Sequence, residues 1–500
     1  MQRRSLSRFE VVKIRNSASR VELFISCKRV ITCVLFIALL SGVIIKTVNA
    51  QHTIHKYYPP QDSLVAMKLA YWQDCKFGLL MHWGTYSQWG IVESWSLCNE
   101  DEGWCQRRGP YAHDYNTYKK EYEKLQTTFN PVNFNPDKWA KAASEAGMKY
   151  VVFTTKHHDG FCMFDTKQTD YKITSQKTPF HNNPKADVTA EIFNAFRKYN
   201  FMTGAYFSKP DWHSEYYWWS YFATPNRMSN YDPAKYPDRW KNFDDYTFNQ
   251  LQELCTNYGK VDLLWLDGGW VRPDSTITKE EESWIKTPWR NEIDMHRLAA
   301  MARKQQPGIL IVDRSVYGYY QNYLTPEQQV PDTVLSYPWE TCMTMATSWS
   351  YVPGDKFKST NQLIHLLCKI VSRGGNLLLN IAPSAQGDWD NDAYIRLQQI
   401  GNWMRVNQDC IYGTKPVLPY QEGKFVFTRK GNTIYAIYLA EENEKVPPTI
   451  EFSNNGWQVK NISAMKSGSV KWTNSNGKIK IDNTKTTDPS DALVFKLVVK

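Results

Sequence analysis

The ten cysteines of this 500-residue chain include no CxxC pair, so a structural zinc site is not expected. No glycine-rich dinucleotide loop is present, which removes the usual signature of nicotinamide or flavin binding. Internal repeats and low-complexity linkers are also lacking. Positive charge is scarcer than the formal net charge of +10 suggests. Residues 1–50 carry nine Lys/Arg against two Asp/Glu, which supplies +7 and leaves +3 for the other 450 residues. With no long basic run in that remainder, nucleic acid has no electrostatic footprint to follow.

Aromatic residues, by contrast, are abundant, with 20 Trp, 30 Tyr and 22 Phe. An excess of this kind serves packing, or a concave site that offers flat faces to a ligand; where the rings fall decides between them.

Residues 1–50 read as an export signal. A basic segment ends at Lys28-Arg29, an apolar run "VITCVLFIALLSGVII" spans 30–45, and small Val48 and Ala50 precede Gln51, as a signal peptidase favours. The product would then be periplasmic or extracellular. Sixteen apolar residues are long for a signal core and short for a membrane span, so the alternative is an uncleaved anchor. No lipobox cysteine follows "LLSG". Cys98 and Cys105 lie close enough in sequence to bridge in an oxidising compartment.

From residue 51 to about 410, short apolar runs alternate with longer amphipathic ones. The strand-like runs are "FGLLMHW" (77–83), "YVVFTTKHHDG" (150–160), "MTGAYFS" (202–208), "VDLLWLD" (261–267), "GILIVDR" (308–314) and "NLLLNIAP" (376–383). Helical patterns at 136–148, 189–200, 245–259, 292–306 and 361–375 separate them. This alternation predicts an α/β domain with parallel strands and helices outside, a (β/α)8-like barrel rather than an open doubly wound sheet. After Cys410 the helical pattern stops. A hairpin around Gly431-Asn432 and strand-like runs at 470–481 and 492–500 predict a small antiparallel β-sandwich over 411–500.

In a parallel barrel, functional side chains gather where strands end. Here the ends carry His82, then His157-His158, then Tyr206, then Asp267, then Asp313-Arg314. Gly268-Gly269 after Asp267 read as space kept open for a ligand. His82, His157, His158 and Asp267 could ligate zinc. Adjacent His157 and His158 on one strand would face opposite sides, however, and no metal is expected. Tryptophans cluster at the same ends: Trp83, Trp89 and Trp95, then Trp212, Trp218 and Trp219, then Trp265 and Trp270. Rings for a sugar's apolar face, beside groups that hydrogen-bond hydroxyls, suit a neutral carbohydrate. "EYYWWSYF" (215–222) reads as packing or a subsite wall.

Retaining glycoside hydrolysis needs two carboxyl groups about 5–5.5 Å apart. Asp267 is the candidate nucleophile. Glu340, in the aromatic, low-charge run "YPWETCMTMATSWSYVP" (337–353), is the candidate acid/base, because such surroundings raise a carboxyl pKa. Glu93 in "VESWSL" is its rival.

Taken together, "FGLLMHWGTYS", "FTTKHHDGFCMFDTKQTDYKIT", "YFSKPDW", "WLDGGW", "PWETCMT" and "NLLLNIAP" resemble the α-L-fucosidases of glycoside hydrolase family 29 over residues 60–410. The resemblance implies an irregular (β/α) barrel with a C-terminal sandwich. It also implies retaining hydrolysis of terminal α-L-fucosyl residues from oligosaccharides or glycoconjugates, with no metal or organic cofactor. Asp267 would be the nucleophile, with His82, His157 and His158 on the fucose hydroxyls. Tyr206, Trp95 and Arg314 would complete the pocket, although the spacing around "VESWSL" differs from the family's glutamate–tryptophan pair. The competing possibilities are an exported fucose-binding protein without catalysis and a metal-dependent hydrolase.

Overall fold

The computed structural model describes residues 57–100, 105–279, 281–314, 316–484 and 492–500; the segment read as an export signal lies outside them. Lys56–Lys500 form one compact unit. Among the described residues no helix is long and apolar enough to cross a membrane.

Seven short strands form one parallel sheet: β1 (Phe77–Met81), β2 (Tyr150–Lys156), β3 (Met202–Ser208), β4 (Leu263–Asp267), β5 (Leu310–Asp313), β6 (Glu340–Thr344) and β7 (Asn376–Asn380). Their order is 5-4-3-2-1-7-6. The sheet curls into a half-barrel, and the alternating residues of each strand bury against two different layers. Leu79, Met81, Val151, Phe153, Phe207 and Leu266 join a core shared with the surrounding helices. Leu80, Val152, Tyr206, Trp265, Val312 and Leu378 form a separate inner core.

The helices are α1 (Ser63–Cys75), α2 (Tyr115–Glu123), α3 (Pro136–Glu145), α4 (Val188–Arg197), α5 (Pro237–Asn257), α6 (Met295–Gln305), α7 (Thr360–Ser372) and α8 (Asn391–Asn407). Local chemistry sets their starts. Asn135 caps α3 by accepting from Lys138 N, with Pro136 in the first turn, where a missing N–H costs nothing.

The edges β5 and β6 do not pair with each other. The irregular segment 320–328 lies between them in place of an eighth strand. On the β5 side, Asn322 N donates to Ile311 O at 2.9 Å and Ile311 N donates to Asn322 Oδ1 at 2.8 Å. On the β6 side, Glu340 N donates to Leu324 O at 2.9 Å and Gln328 N to Cys342 O at 3.0 Å. The polar β6 sequence ETCMT and this segment carry no strand periodicity, so neither was legible in the sequence.

Helix α1, also unforeseen, plugs the barrel base. Its Val65, Leu69, Trp72 and Cys75 enter the inner core. Trp72 stacks on Tyr323 with ring centres 3.8 Å apart, and Asn376 Nδ2 donates to Trp72 O at 2.7 Å. Tyr150 and Asn376 open β2 and β7, so this is the strands' N-terminal end.

Glu340 is the first residue of β6, at that same end, and is fully buried. Tyr150 Oη donates to Glu340 Oε2 at 2.6 Å, and Trp265 Nε1 donates to Oε1 at 3.2 Å. Burial pushes its carboxyl up to about 7, as its aromatic setting implied. The same rings seal it away from the C-terminal face, so the structure removes Glu340 from the candidate acid/base position and places it in the barrel base.

Beyond α8, strands β8 (Lys415–Glu422), β9 (Phe425–Lys430), β10 (Thr433–Leu439), β11 (Thr449–Ser453), β12 (Val459–Ala464), β13 (Gly468–Ser469), β14 (Trp472–Ser475), β15 (Lys478–Asp482) and β16 (Ala492–Val499) make two antiparallel sheets. One has six strands in the order 13-12-16-10-9-8, the other three in the order 11-15-14. Phe427, Ile434 and Phe495 of the first sheet and Phe452, Ile479 and Ile481 of the second share one core, which makes a sandwich. The hairpin turn falls at Gly431-Asn432, between β9 and β10. The sheet's other face, with Val426, Ile437 and Val494, joins the barrel core. There Trp403 Nε1 of α8 donates to Ala492 O at 3.0 Å.

The raised carboxyl of Glu340 has a consequence for stability. Its folded pKa, about 7, lies above the usual 4.5, so the folded state binds the extra proton and loses stability as pH rises through that window. Glu340→Gln removes that loss: relative to the parent chain, the variant's melting temperature should rise between pH 4.5 and 7.5, checked by thermal unfolding in matched buffers.

Candidate active site

At the C-terminal ends of the strands lies a cavity of about 540 Å³, large enough for a sugar ring. Of the side chains singled out from the sequence, His82, Trp95, His157, His158, Tyr206, Asp267 and Arg314 all line it. Glu93, the rival acid, lines it too, whereas Glu340 does not. Among the lining groups that escaped sequence reasoning are Glu327, Trp349 and Cys342. Glu327 sits in the irregular segment that closes the barrel, where no pattern marks it.

Asp267 ends β4. Tyr206 Oη donates to its Oδ2 at 2.6 Å and Arg314 Nη1 to its Oδ1 at 3.2 Å; His158 Nε2 is 3.9 Å from Oδ2. Burial alone would push this carboxyl up. Arg314, His158, the Tyr206 hydroxyl and the Gly268 N–H outweigh burial and hold it far below the usual carboxylate range. Asp267 is therefore ionised across the physiological pH range.

The glycine after it has a different purpose from the one its sequence position suggests. Gly268 has φ +83°, and a Cβ there would lie 2.2 Å from Pro210 Cδ. The turn and the close approach of Pro210 demand glycine; ligand space does not.

Strand β2 stops at Lys156, so the alternation expected for adjacent histidines no longer applies. A turn closed by Gly160 N donating to His157 O at 3.1 Å brings both rings to the cavity, with centroids 4.4 Å apart. Ser94 Oγ hydrogen-bonds His157 Nδ1. Asn380, at the end of β7, fixes His82: its Oδ1 accepts from His82 N at 3.1 Å and pairs with Nδ1 at 2.9 Å, while Nδ2 donates to Trp349 O at 2.7 Å. An amide oxygen can only accept, so Nδ1 carries the proton and Nε2 is the ring's acceptor. Burial lowers His82 and His158 to about 4, and His157 well below its ordinary value. All three are neutral hydrogen-bonding groups.

Arg314 also pairs through Nη2 with Glu327, whose other oxygen accepts from Trp349 Nε1 at 3.1 Å. One guanidinium thus bridges two carboxylates. Glu327 is the more open of them, its side chain 43% exposed against 15% for Asp267. Glu93 is buried, its Oε2 makes no hydrogen bond, and burial pushes its carboxyl up to about 8. On the remaining wall, Trp95 and Trp270 pack against the His158 ring at 5.3 and 5.2 Å.

By distance alone, His157, His158 and Asp267 could share a metal ion. The charges do not favour it: Asp267 is already met by a guanidinium at 3.2 Å and by a phenol proton, and His157 Nδ1 by Ser94. A cation there would face Arg314 directly. The Cys98–Cys105 bridge is not formed either; Cys98 Sγ donates to Glu100 Oε2 at 3.3 Å.

Known proteins of one family resemble this chain. The family model described as Alpha-L-fucosidase matches residues 44–409. Tissue α-L-fucosidase of Bos taurus is 29% identical over 406 residues, covering 77% of this chain and 78% of its own. The α-L-fucosidase of Dictyostelium discoideum is 28% identical, covering 72% and 75%. Among solved structures, α-L-fucosidase isoenzyme 1 from Paenibacillus thiaminolyticus superposes with a TM-score of 0.71 at 29% identity, over 88% of this chain and 100% of its own. Thermotoga maritima α-fucosidase, solved in complex with fucose, gives 0.65 at 26%, over 89% and 100%.

The Asn380–His82 contact makes a direct prediction. Asn380→Asp places a carboxylate on Nδ1–H and should raise the His82 pKa by roughly one to three pH units, so that the ring protonates well above pH 4. Titration of the histidine ring nitrogens by NMR checks this, with Asn380→Ala as the uncharged control.

Proposed function

The chain belongs to the α-L-fucosidase family of glycoside hydrolases, and we propose that it releases terminal fucose with retention, through a covalent fucosyl–Asp267 intermediate. The observation that carries this is Asp267 itself, an ionised carboxylate at a strand end, held by Tyr206 and Arg314 against the cavity. Asp267 attacks the anomeric carbon, the bond to the leaving oxygen breaks, and an acid delivers its proton to that oxygen. Water then attacks the same carbon, the acid's conjugate base takes the water's proton, and Asp267 departs unchanged.

For the acid/base we propose Glu327. A glycan must leave the cavity through its open side, so the bridging oxygen lies toward the mouth. Glu327 is the lining carboxyl with solvent access there. Its tie to Asp267 through one guanidinium suits the close separation of a retaining pair, about 5–5.5 Å. A second assignment has its own support: Glu93, at about 8, is already protonated at neutral pH, as a general acid must be. Its deep burial instead suits a donor to a fucose hydroxyl.

His82, His157 and His158, kept neutral, would meet the sugar hydroxyls. The apolar lining from Leu80, Trp265, Trp270 and Trp349 offers surface to the C6 methyl. The Thermotoga relative's complex with fucose supports that choice of ligand. We also propose that the protein is exported, on the basic segment, apolar core and small-residue cleavage site of residues 1–50.

Asp267→Gly should abolish turnover of an aryl α-L-fucoside, a loss of at least about 10³-fold, with added azide partly restoring it as the β-fucosyl azide; near-normal rates in the variant would remove Asp267 from this role. Glu327→Ala should lose on the order of 10²–10⁴-fold with alkyl leaving groups and far less with activated aryl ones, with azide giving the α-azide. If Glu93→Ala alone behaves so, the acid/base is Glu93; Glu340→Gln should remain near the parent rate in the same assay.

A further inference from the structure

The run 215–222 lies outside the cavity lining, and its rings divide into two groups. Tyr217 and Trp218 are buried. Trp218 stacks on Trp212 at 5.1 Å with planes 4° apart, and Trp212 in turn packs on the His158 ring at 5.0 Å. Around Trp219 the rings turn outward instead. Tyr221 is 75% exposed, and Tyr216 and Tyr236 are exposed as well. The Trp219 ring centre lies 5.3 Å from that of Tyr221, 5.4 Å from Phe222 and 5.3 Å from Tyr236. The Arg239 guanidinium covers it at 3.9 Å.

This cluster is held in place. The Asn230 side chain accepts from Trp219 N at 2.8 Å and donates to Trp219 O at 2.8 Å and Phe222 O at 2.9 Å. Ser220 Oγ donates to Glu215 at 3.0 Å, and Arg239 donates to Glu215 O. Exposed aromatic groups clustered and held in this way are the kind of surface that serves as a contact site. Its location also fits the site. The run follows β3, and Tyr236 immediately precedes α5, the helix that returns toward the strands' N-terminal ends. The cluster therefore lies on the face that carries the cavity, joined to His158 by the buried Trp212–Trp218 stack.

We propose that Tyr221, with Trp219, Phe222 and Tyr236, forms a distal sugar-binding platform for the same glycan whose terminal fucose occupies the cavity. This rests on the fucosidase reading and extends it to substrate class: oligosaccharides long enough to reach across the face, in preference to small fucosides. The occupant follows from what leaves the cavity mouth, a polyhydroxylated chain whose rings have apolar faces. Flat aromatic surfaces bind those faces, and Arg239 and Glu215 beside them bind hydroxyls.

The test compares kcat/KM for the full chain on an aryl α-L-fucoside and on fucosylated oligosaccharides from a disaccharide upward. The parent protein should gain efficiency with length. Tyr221→Ala should lose roughly three- to tenfold on the long substrates, the size of one aromatic stacking contact, and nothing on the aryl fucoside or the disaccharide. Tyr221→Phe should retain most of the gain. No dependence on length, no effect of Tyr221→Ala, or an equal loss on every substrate would overturn the platform. Failure of the underlying activity would appear separately, as no aryl fucoside turnover by folded parent protein.

Discussion

The contact on which this site depends is the guanidinium of Arg314 at 3.2 Å from Asp267. A carboxylate in so enclosed a place is tolerable only if its charge is met by a partner and by hydrogen bonds. Tyr206 on β3 and Arg314, the residue that follows β5, supply both from either side of β4, so parallel pairing brings the three groups together. Arg314 N donates to Leu266 O at 3.0 Å and Lys209 N to Asp267 O at 3.0 Å, which ties the ends of β3, β4 and β5 into one edge. The fold thereby supplies an ionised acid that remains available to a ligand.

Much of this was legible because a parallel barrel converts sequence position into place. A run such as "VDLLWLD" can end at the rim in only one way, so a polar group closing it lands in the site. That rule found His82, His157, His158, Tyr206, Asp267 and Arg314. It also explains the misplacement of Glu340, which begins its strand rather than ending it. β6 was not readable as a strand, so the end on which Glu340 lies was not readable either. The aromatic setting was read correctly and raises the carboxyl, but rings close enough to raise a pKa are also close enough to exclude a substrate.

Glu327 was missed for the converse reason. It belongs to segment 320–328, which closes the barrel through backbone and amide contacts such as Asn322 with Ile311 and so has neither helical nor strand periodicity. Position in a regular pattern is the signal that placed the other lining groups, and this segment has no such pattern. His157 and His158 illustrate the same dependence on boundaries. The expectation that they diverge assumed a strand two residues longer than the one that forms, and the turn through Gly160 reverses the conclusion.

The cavity's three carboxyl groups differ in electrostatic circumstance more than in chemistry. Asp267 is ionised because a cation and a phenol proton outweigh its burial. Glu93 is neutral at pH 7 because burial acts on it with no cation to oppose it, and a neutral unpartnered Oε2 costs less to bury than a charged one would. Glu327 shares its cation with Asp267 and has solvent beside it. Separating the states of like groups is how one pocket holds an anion and a proton donor at the same pH. Burial of the three histidines completes the arrangement: cationic rings beside Asp267 would compete with Arg314 for it, whereas neutral ones leave that carboxylate, and their own nitrogens, open to a ligand.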